Sequence, residues 1–307
     1  MELDIGADKM KKYSKLDEIH IGQSNDIITN GCLVLEGGAF RGIYTEGVLD
    51  VLLENDINLQ CTVGTSAGAL NGLNYVAGQY GRSAHASLGH RHDRRFVGTT
   101  AFKNNKGIIG FNFLFEDLNE EIPFNEERFW REEQRLVVTA TNCKNGRTEY
   151  FEKGKCEDMF QAVRASASMP YVSRPVIVEN RPCLDGGCSC KIPFRWAIDQ
   201  GYEKIVVVRT REEGYRKPEN EKHLALKYYH MYDEFSKVLD NSEEDYNKQC
   251  EVIEALEAAG RIFVIYPSLP VRVTRIESDM EKLGELYELG RNDMLAKLDA
   301  LKEYLNI

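Results

Sequence analysis

The stretch Val63-Gly64-Thr65-Ser66-Ala67-Gly68-Ala69 constrains this chain more than any other. Gly-x-Ser-x-Gly is the nucleophile-elbow pattern, in which a strand ends, the backbone turns sharply and a helix begins with a serine at the apex. A serine on such a turn leaves no room for side chains two residues before and after it, which accounts for Gly64 and Gly68. The following helix aims its N-terminal N–H groups and positive dipole end at the place where an oxyanion would form. A purely structural strand-to-helix turn reads the same way, so the rest of the chain must decide.

At 307 residues there is room for one large α/β domain or two smaller ones, and 42% hydrophobic with 29% charged residues is a globular balance. A formal charge of −10 argues against nucleic-acid binding by the surface as a whole. No run approaches the roughly 18 consecutive apolar residues of a membrane span, and the first residues are too polar for a signal peptide. A cytoplasmic chain with its eight cysteines reduced is therefore expected.

Residues 1–29 read as a polar leader with the mobility usual at a terminus. A core of alternating strands and helices fills 30–210. The part from 211 to 307 is mostly helical, with one more core strand near 261–267. Cys32-Leu33-Val34-Leu35 reads as a buried strand that runs into the glycine-rich loop Glu36-Gly37-Gly38-Ala39-Phe40-Arg41-Gly42. Such a loop can present backbone N–H groups to an anion, but it has neither the P-loop ending nor the dinucleotide spacing. Leu136–Thr141 and Thr148–Phe151 around Asn145-Gly146 read as a hairpin. A helix over about 159–168 ends at Met169-Pro170 and is dense in small residues that suit close packing. Residues 101–124 are aromatic and apolar, either a pocket wall or core. The segment 82–95 carries four arginines and three histidines. It is either a solvated or internally paired stretch or a peripheral contact for an anionic membrane. From about Glu277, leucines at helical spacing predict one or two closing amphipathic helices.

A serine nucleophile needs a base and an oxyanion stabiliser. His223 and His230 follow Ser66 but sit in a charged segment read as helix surface, and the histidines at 85–92 lie beyond the elbow helix, so no histidine suits a triad. The alternative base is Asp185, in Asp185-Gly186-Gly187 at a strand end, a tripeptide that is also a common turn. Cys183, Cys188 and Cys190 beside it have a spacing that is not a usual zinc pattern, and no metal or other cofactor is expected.

Taken together and in this order, Gly37-Gly38-Ala39-Phe40-Arg41-Gly42, Gly64-Thr65-Ser66-Ala67-Gly68 and Asp185-Gly186-Gly187 resemble the patatin-like phospholipase family, as does Ser166-Ala167-Ser168-Met169-Pro170. The resemblance spans about 31–210. It implies a three-layer α/β fold with a mainly parallel central sheet, extended here by a helical C-terminal part. It also implies Ser66 as nucleophile, Asp185 as its base, an oxyanion hole from the N–H groups of Gly37, Gly38 and Ala39, and Arg41 holding that loop or adding positive potential. The family pattern has a third glycine where this chain has Ala39, which matters only if φ there must be positive. The reaction implied is hydrolysis of fatty-acyl ester lipids through an acyl-serine. A small-ester or thioester hydrolase and a non-catalytic lipid- or partner-binding protein are the competing readings. The oligomeric state is left open.

Overall fold

The computed structural model describes residues 11–218 and 224–307. Its centre is an eight-stranded sheet. The strands are β1 (Ile28–Leu35), β2 (Asn58–Thr65), β3 (Arg135–Asn142), β4 (Thr148–Glu152), β5 (Val176–Val178), β6 (Arg181–Asp185), β7 (Ile205–Val208) and β8 (Phe263–Ile265). They lie in the order β8-β7-β1-β2-β3-β6-β5, with β4 paired to β3. The run from β8 to β3 is parallel, whereas β4, β5 and β6 enter by antiparallel pairings.

Parallel strands covered on both faces should carry apolar residues on both, and the central stretches of these do. Leu33, Leu35, Leu136, Val138, Val206 and Val208 point to one face. Their neighbours Cys32, Val34, Val137, Ile205 and Val207 point to the other. On the first face lie helices α1 (Ile43–Glu54), α2 (Ala67–Val76), α3 (Met159–Ser166) and, outside α1, α5 (Met280–Leu305). On the second lie α4 (Asp233–Ala258), through Tyr246, Cys250 and Ile253, and the short helix Phe194–Asp199. The three-layer α/β arrangement expected from the sequence is the one observed.

One expectation is corrected. The part of the leader that is described is packed, not loose: Tyr13, Leu16 and Ile19 are buried in the main core, and Gly22–Gln23 pairs with Gln79–Tyr80. Residues 1–10 lie outside the described residues. The tail forms one continuous helix, α5, and β8 joins the main sheet beside β7. Among the described residues no helix is long and apolar enough to cross a membrane.

Candidate active site

β2 ends at Thr65 and α2 begins at Ala67, so Ser66 alone makes the turn. Its φ of 56° and ψ of −119° lie in a region that costs a side-chain-bearing residue about 1–3 kcal/mol. The surroundings hold it there. The Ser66 N–H donates to Ser166 Oγ at 2.9 Å, and its carbonyl accepts from Ala69 and Leu70 to start α2. A Cβ on Gly64 would strike the backbone of Gly68, and one on Gly68 would strike that of Leu35, so the strand and helix meet only through glycines.

Asp185 is brought to Ser66 by the register of β3. Residues 135–139 of β3 pair with β2, ending with Thr139 opposite Thr65, and β4 occupies the other edge. From Ala140 onward the edge next to β2 is taken over by β6, with Asp185 opposite Ala140. The last residue of β6 thus lies just past the end of β2. The Ser66 hydroxyl donates to Asp185 Oδ2 at 2.7 Å, and the Gly187 N–H donates to Oδ1 at 2.7 Å. The Asp185 N–H donates to the Ser168 carbonyl at 2.9 Å, and Thr141 Oγ1 donates to its carbonyl at 2.8 Å. Burial raises the carboxyl pKa above the ordinary value, while the hydrogen bonds from Ser66 and Gly187 and the charges of Arg275 and Lys191 resist that rise. Gly186 packs against Thr139. Serine and threonine hydroxyls thus frame the pair, and the small-residue stretch at 166–168 supplies a hydrogen bond to each member as well as close packing.

The glycine loop follows β1. The Gly37 N–H donates to the Lys191 carbonyl at 3.1 Å, so it is already committed, which corrects its expected place among the oxyanion donors. The N–H groups of Gly38 and Ala39 donate to no group among the described residues. Ala39 has φ of 50°, the left-handed conformation in which its difference from glycine does matter. Arg41 closes a tight turn through its N–H to the Gly38 carbonyl at 3.1 Å, and Gly42 accepts from Asn71 Nδ2 at 2.9 Å. The Arg41 side chain is buried and its Nε has no hydrogen-bond partner. Burial, then repulsion from Arg211 and Arg275, pulls its guanidinium down to about 10.

Ser66 lines two cavities. One is narrow and mainly apolar, about 120 Å³, with Leu70, Leu73, Ile109, Phe115, Phe124 and Phe160 in its wall. Most of the expected 101–124 contribution goes into this wall, Leu118 included, while Phe113 is buried in a small core with Leu118, Phe96 and Ala86. The other is a broader cleft of about 680 Å³ on the Asp185 side, lined by charged residues including Arg41, Lys191 and Arg275. Among the described residues no histidine lines either cavity. His223 lies outside the described residues, and His230 is exposed in a turn before α4 instead of in a helix.

The basic segment is largely spent inside the protein. Arg82 is buried and bonds Asn74, Asn119 and the Ile122 carbonyl, and Arg91 is buried on the carbonyls of Ile276 and Glu277. His85 contacts the Ile19 carbonyl, His90 faces Glu121, and Arg95 pairs with Asp93 and Asp117. Most of its charges are internally satisfied, which supports the internally paired reading of this stretch. All eight cysteines are free thiols, and among the described residues no three of His, Cys, Asp or Glu gather as a metal site.

Residues 33–198 match the family model described as patatin-like phospholipase, and residues 232–306 match a domain of unknown function, DUF6363. The chain is similar to the uncharacterized protein YjjU of Escherichia coli, 29% identical across 84% of this chain and 74% of that protein. It is also similar to the lysophospholipase NTE1 of Scheffersomyces stipitis, 27% identical across 85% of this chain but 17% of that far longer protein. Among solved structures, VipD from Legionella pneumophila aligns over 97% of this chain and 72% of its own, with a TM-score of 0.44 and 14% identity. The patatin-like model takes in more than half of the chain, including the glycine loop, the serine elbow and Asp185-Gly186-Gly187. The chain belongs to the patatin-like phospholipase family.

Proposed function

We propose that the protein is a serine acyl hydrolase acting on fatty-acyl ester lipids of the phospholipid and lysophospholipid class, with Ser66 and Asp185 as a catalytic dyad. The observation that carries this reading is the 2.7 Å hydrogen bond from Ser66 Oγ to Asp185 Oδ2. It falls within the reach a general base needs for the proton it removes. Family membership and the likeness to a fungal lysophospholipase support the substrate class.

Ser66 Oγ attacks the ester carbonyl carbon as its proton passes to Asp185. The carbonyl oxygen becomes an oxyanion held by the N–H groups of Gly38 and Ala39. Collapse breaks the bond to the leaving alcohol, which takes the proton from Asp185 and leaves an acyl-serine. Water then attacks the acyl carbon with its proton going to Asp185. The fatty acid departs as Ser66 regains its proton. A buried carboxylate is a better base than an exposed one, because burial destabilises its charged form. The two oxyanion donors carry much of the rate, since losing one such donor typically costs about 100- to 1,000-fold. The narrow cavity beside Ser66 suits the acyl chain, and its apolar wall favours a long one over a small soluble ester.

Ser66→Ala and Asp185→Asn are each expected to lower acyl-ester hydrolysis by at least about 1,000-fold. A fluorophosphonate probe is expected to label the wild type at Ser66. Wild-type turnover in folded Ser66→Ala protein refutes the reading.

A further inference from the structure

The narrow cavity beside Ser66 is not apolar all round. It follows α2 away from the serine, with Ala67, Leu70, Asn71, Leu73 and Asn74 along one side. Ser66 to Asn74 is a little over two turns of helix, a rise of about 12 Å. Among the apolar walls stand a carboxyl and two hydroxyls. Glu46 comes from the first turn of α1, and Ser83 and Ser87 come from the helix Arg82–His90. The two serines are four residues apart and so share one face of that helix.

Neighbours hold these groups in place, and two of them keep a donor open. Ser87 Oγ donates to Glu46 Oε1 at 2.7 Å. Glu46 is 5% exposed, and its Oε2 is buried with no hydrogen-bond partner. Burial raises its carboxyl pKa well above the ordinary value; the bond from Ser87 opposes the rise and nearby Asp50 adds to it. Near neutral pH Glu46 is thus a neutral acid whose O–H has no acceptor. Ser83 Oγ accepts from Asn74 Nδ2 at 2.7 Å, and Arg82 Nη1 fixes Asn74 by donating to its Oδ1 at 2.8 Å. The Ser83 hydroxyl donates to no group among the described residues. A donor without an acceptor is costly in a buried, mainly apolar site. A water held there would be replaced without loss by a ligand hydroxyl that repeats its hydrogen bonds, but not by a methylene that cannot.

We propose that this is a subsite for a hydroxylated fatty-acyl chain, with a mid-chain hydroxyl set between Glu46 and Ser83 and the rest of the chain against the apolar walls. The inference rests on the reading of Ser66 as nucleophile and of this cavity as the acyl site. A hydroxyl is the matching chemistry because it is neutral and its oxygen has two lone pairs, one for each open donor. A charged substituent would go unpaired, since Arg82 is committed to Asn74, Asn119 and the Ile122 carbonyl. An unsubstituted chain leaves both donors open. The depth of the pair along α2 excludes a hydroxyl next to the ester carbonyl.

The first arm of the test is binding, which needs no turnover. Ser66→Ala protein, its fold confirmed by circular dichroism, is loaded with a fluorescent fatty acid. Octadecanoic acid and its derivatives hydroxylated on the second, tenth or twelfth carbon then compete for the site. A mid-chain derivative is expected to displace the probe at about 3- to 10-fold lower concentration than octadecanoic acid, the size of one net hydrogen bond, and the second-carbon derivative is not. Adding Glu46→Leu is expected to erase that advantage. Glu46→Gln is expected to keep it, because the amide N–H replaces the acid O–H as donor. Ser83→Ala, which leaves the carboxyl in place, is expected to reduce it. Equal displacement by octadecanoic acid and both mid-chain derivatives overturns the proposal. So does an advantage that survives Glu46→Leu and Ser83→Ala alike.

The second arm is turnover by the active protein of nitrophenyl esters of the same acids, at one mole fraction in mixed micelles. The leaving group is constant, so kcat/KM compares acyl chains alone. The ratio of mid-chain hydroxylated to plain ester is expected to fall by about 3- to 10-fold in Glu46→Leu and to persist in Glu46→Gln. A fall of both esters together, with the ratio unchanged, makes Glu46 a structural group and overturns the subsite. Fluorophosphonate labelling of Ser66 in the wild type is read separately. Loss of labelling and turnover with selective binding intact counts against the nucleophile and not against the subsite.

Discussion

Ala39 and Ser66 both hold positive φ, at 50° and 56°, and they flank the same space. For an alanine that conformation costs about 1–2 kcal/mol and gives nothing that glycine would not give. Its N–H points where it does because the backbone is held by the Arg41 turn on one side and by the Gly37–Lys191 hydrogen bond on the other. Ala39→Gly is therefore expected to raise stability by about 0.5–1 kcal/mol in urea melts, with activity retained, once the greater freedom of glycine in the unfolded chain is subtracted. Asp185 carries a pH signature. With Asp185 as the proposed base, its raised pKa predicts that activity climbs with pH through a midpoint above the ordinary value of about 4. Stability runs the other way. The fold favours the protonated form, so this contribution is complete below about pH 4 and is lost as pH rises through the folded-state pKa. Asp185→Asn should remove both slopes, seen in a pH–rate profile and in denaturation midpoints across the same range.

At the scale of elements, the Ser66–Asp185 hydrogen bond depends on how one strand is shared. β3 gives its first five residues to β2 and its last three to β6, while β4 covers the opposite edge. A one-residue slip of β6 would turn Asp185 to the wrong face, because side chains alternate along a strand. The contact of Asp185 with Ser66 is fixed by register, and the buried hydroxyl contact between Thr65 and Thr139 at 2.7 Å pins the junction. The pairing of α1 with α5 is the other decisive contact. A Cβ on Gly290 would meet the Tyr44 backbone, and one on Gly47 would meet the backbone of Tyr287. The helices touch through these glycines, and Tyr287 reaches across to Asp50 at 2.7 Å while Tyr44 reaches Asp293 at 3.1 Å. Gly290→Ala is expected to wedge them apart and cost about 1–3 kcal/mol in urea melts. The elbow stands on α2, so the Ser66 label should survive below the melting transition.

For the molecule as a whole, the C-terminal part completes the layers. β8 extends the sheet beside β7, and α5 buries Leu283, Leu286, Tyr287, Met294 and Leu301 in the main core. α4 covers the opposite face with Tyr246, Cys250 and Ile253. Removing 261–307 would expose an edge strand and the apolar face of α1, and exposed surfaces of that kind lead to aggregation. Such a truncation is expected to lack a cooperative thermal transition and to be digested by protease under conditions that spare the full chain. A truncated chain that melts cooperatively would show that 1–260 folds by itself.

The sequence by itself determined the local chemistry. Gly64-Thr65-Ser66-Ala67-Gly68, the glycine loop and Asp185-Gly186-Gly187 were legible because a strained turn, a close backbone approach and a strand-end carboxylate each need particular residues at fixed short spacings. Unbroken apolar runs such as Ile205–Val208 marked strands buried on both faces. Tertiary structure alone decided which groups meet across long separations. It committed the Gly37 N–H to Lys191, turned Arg82 and Arg91 inward, buried Tyr13 and Leu16 from a leader that reads as polar, and gathered Arg41, Lys191, Arg211, Lys217 and Arg275 beside Ser66. No periodicity joins residues so far apart in the chain. Their meeting follows from strand order and register, which depend on packing energy summed over the whole core and not on any one stretch of sequence.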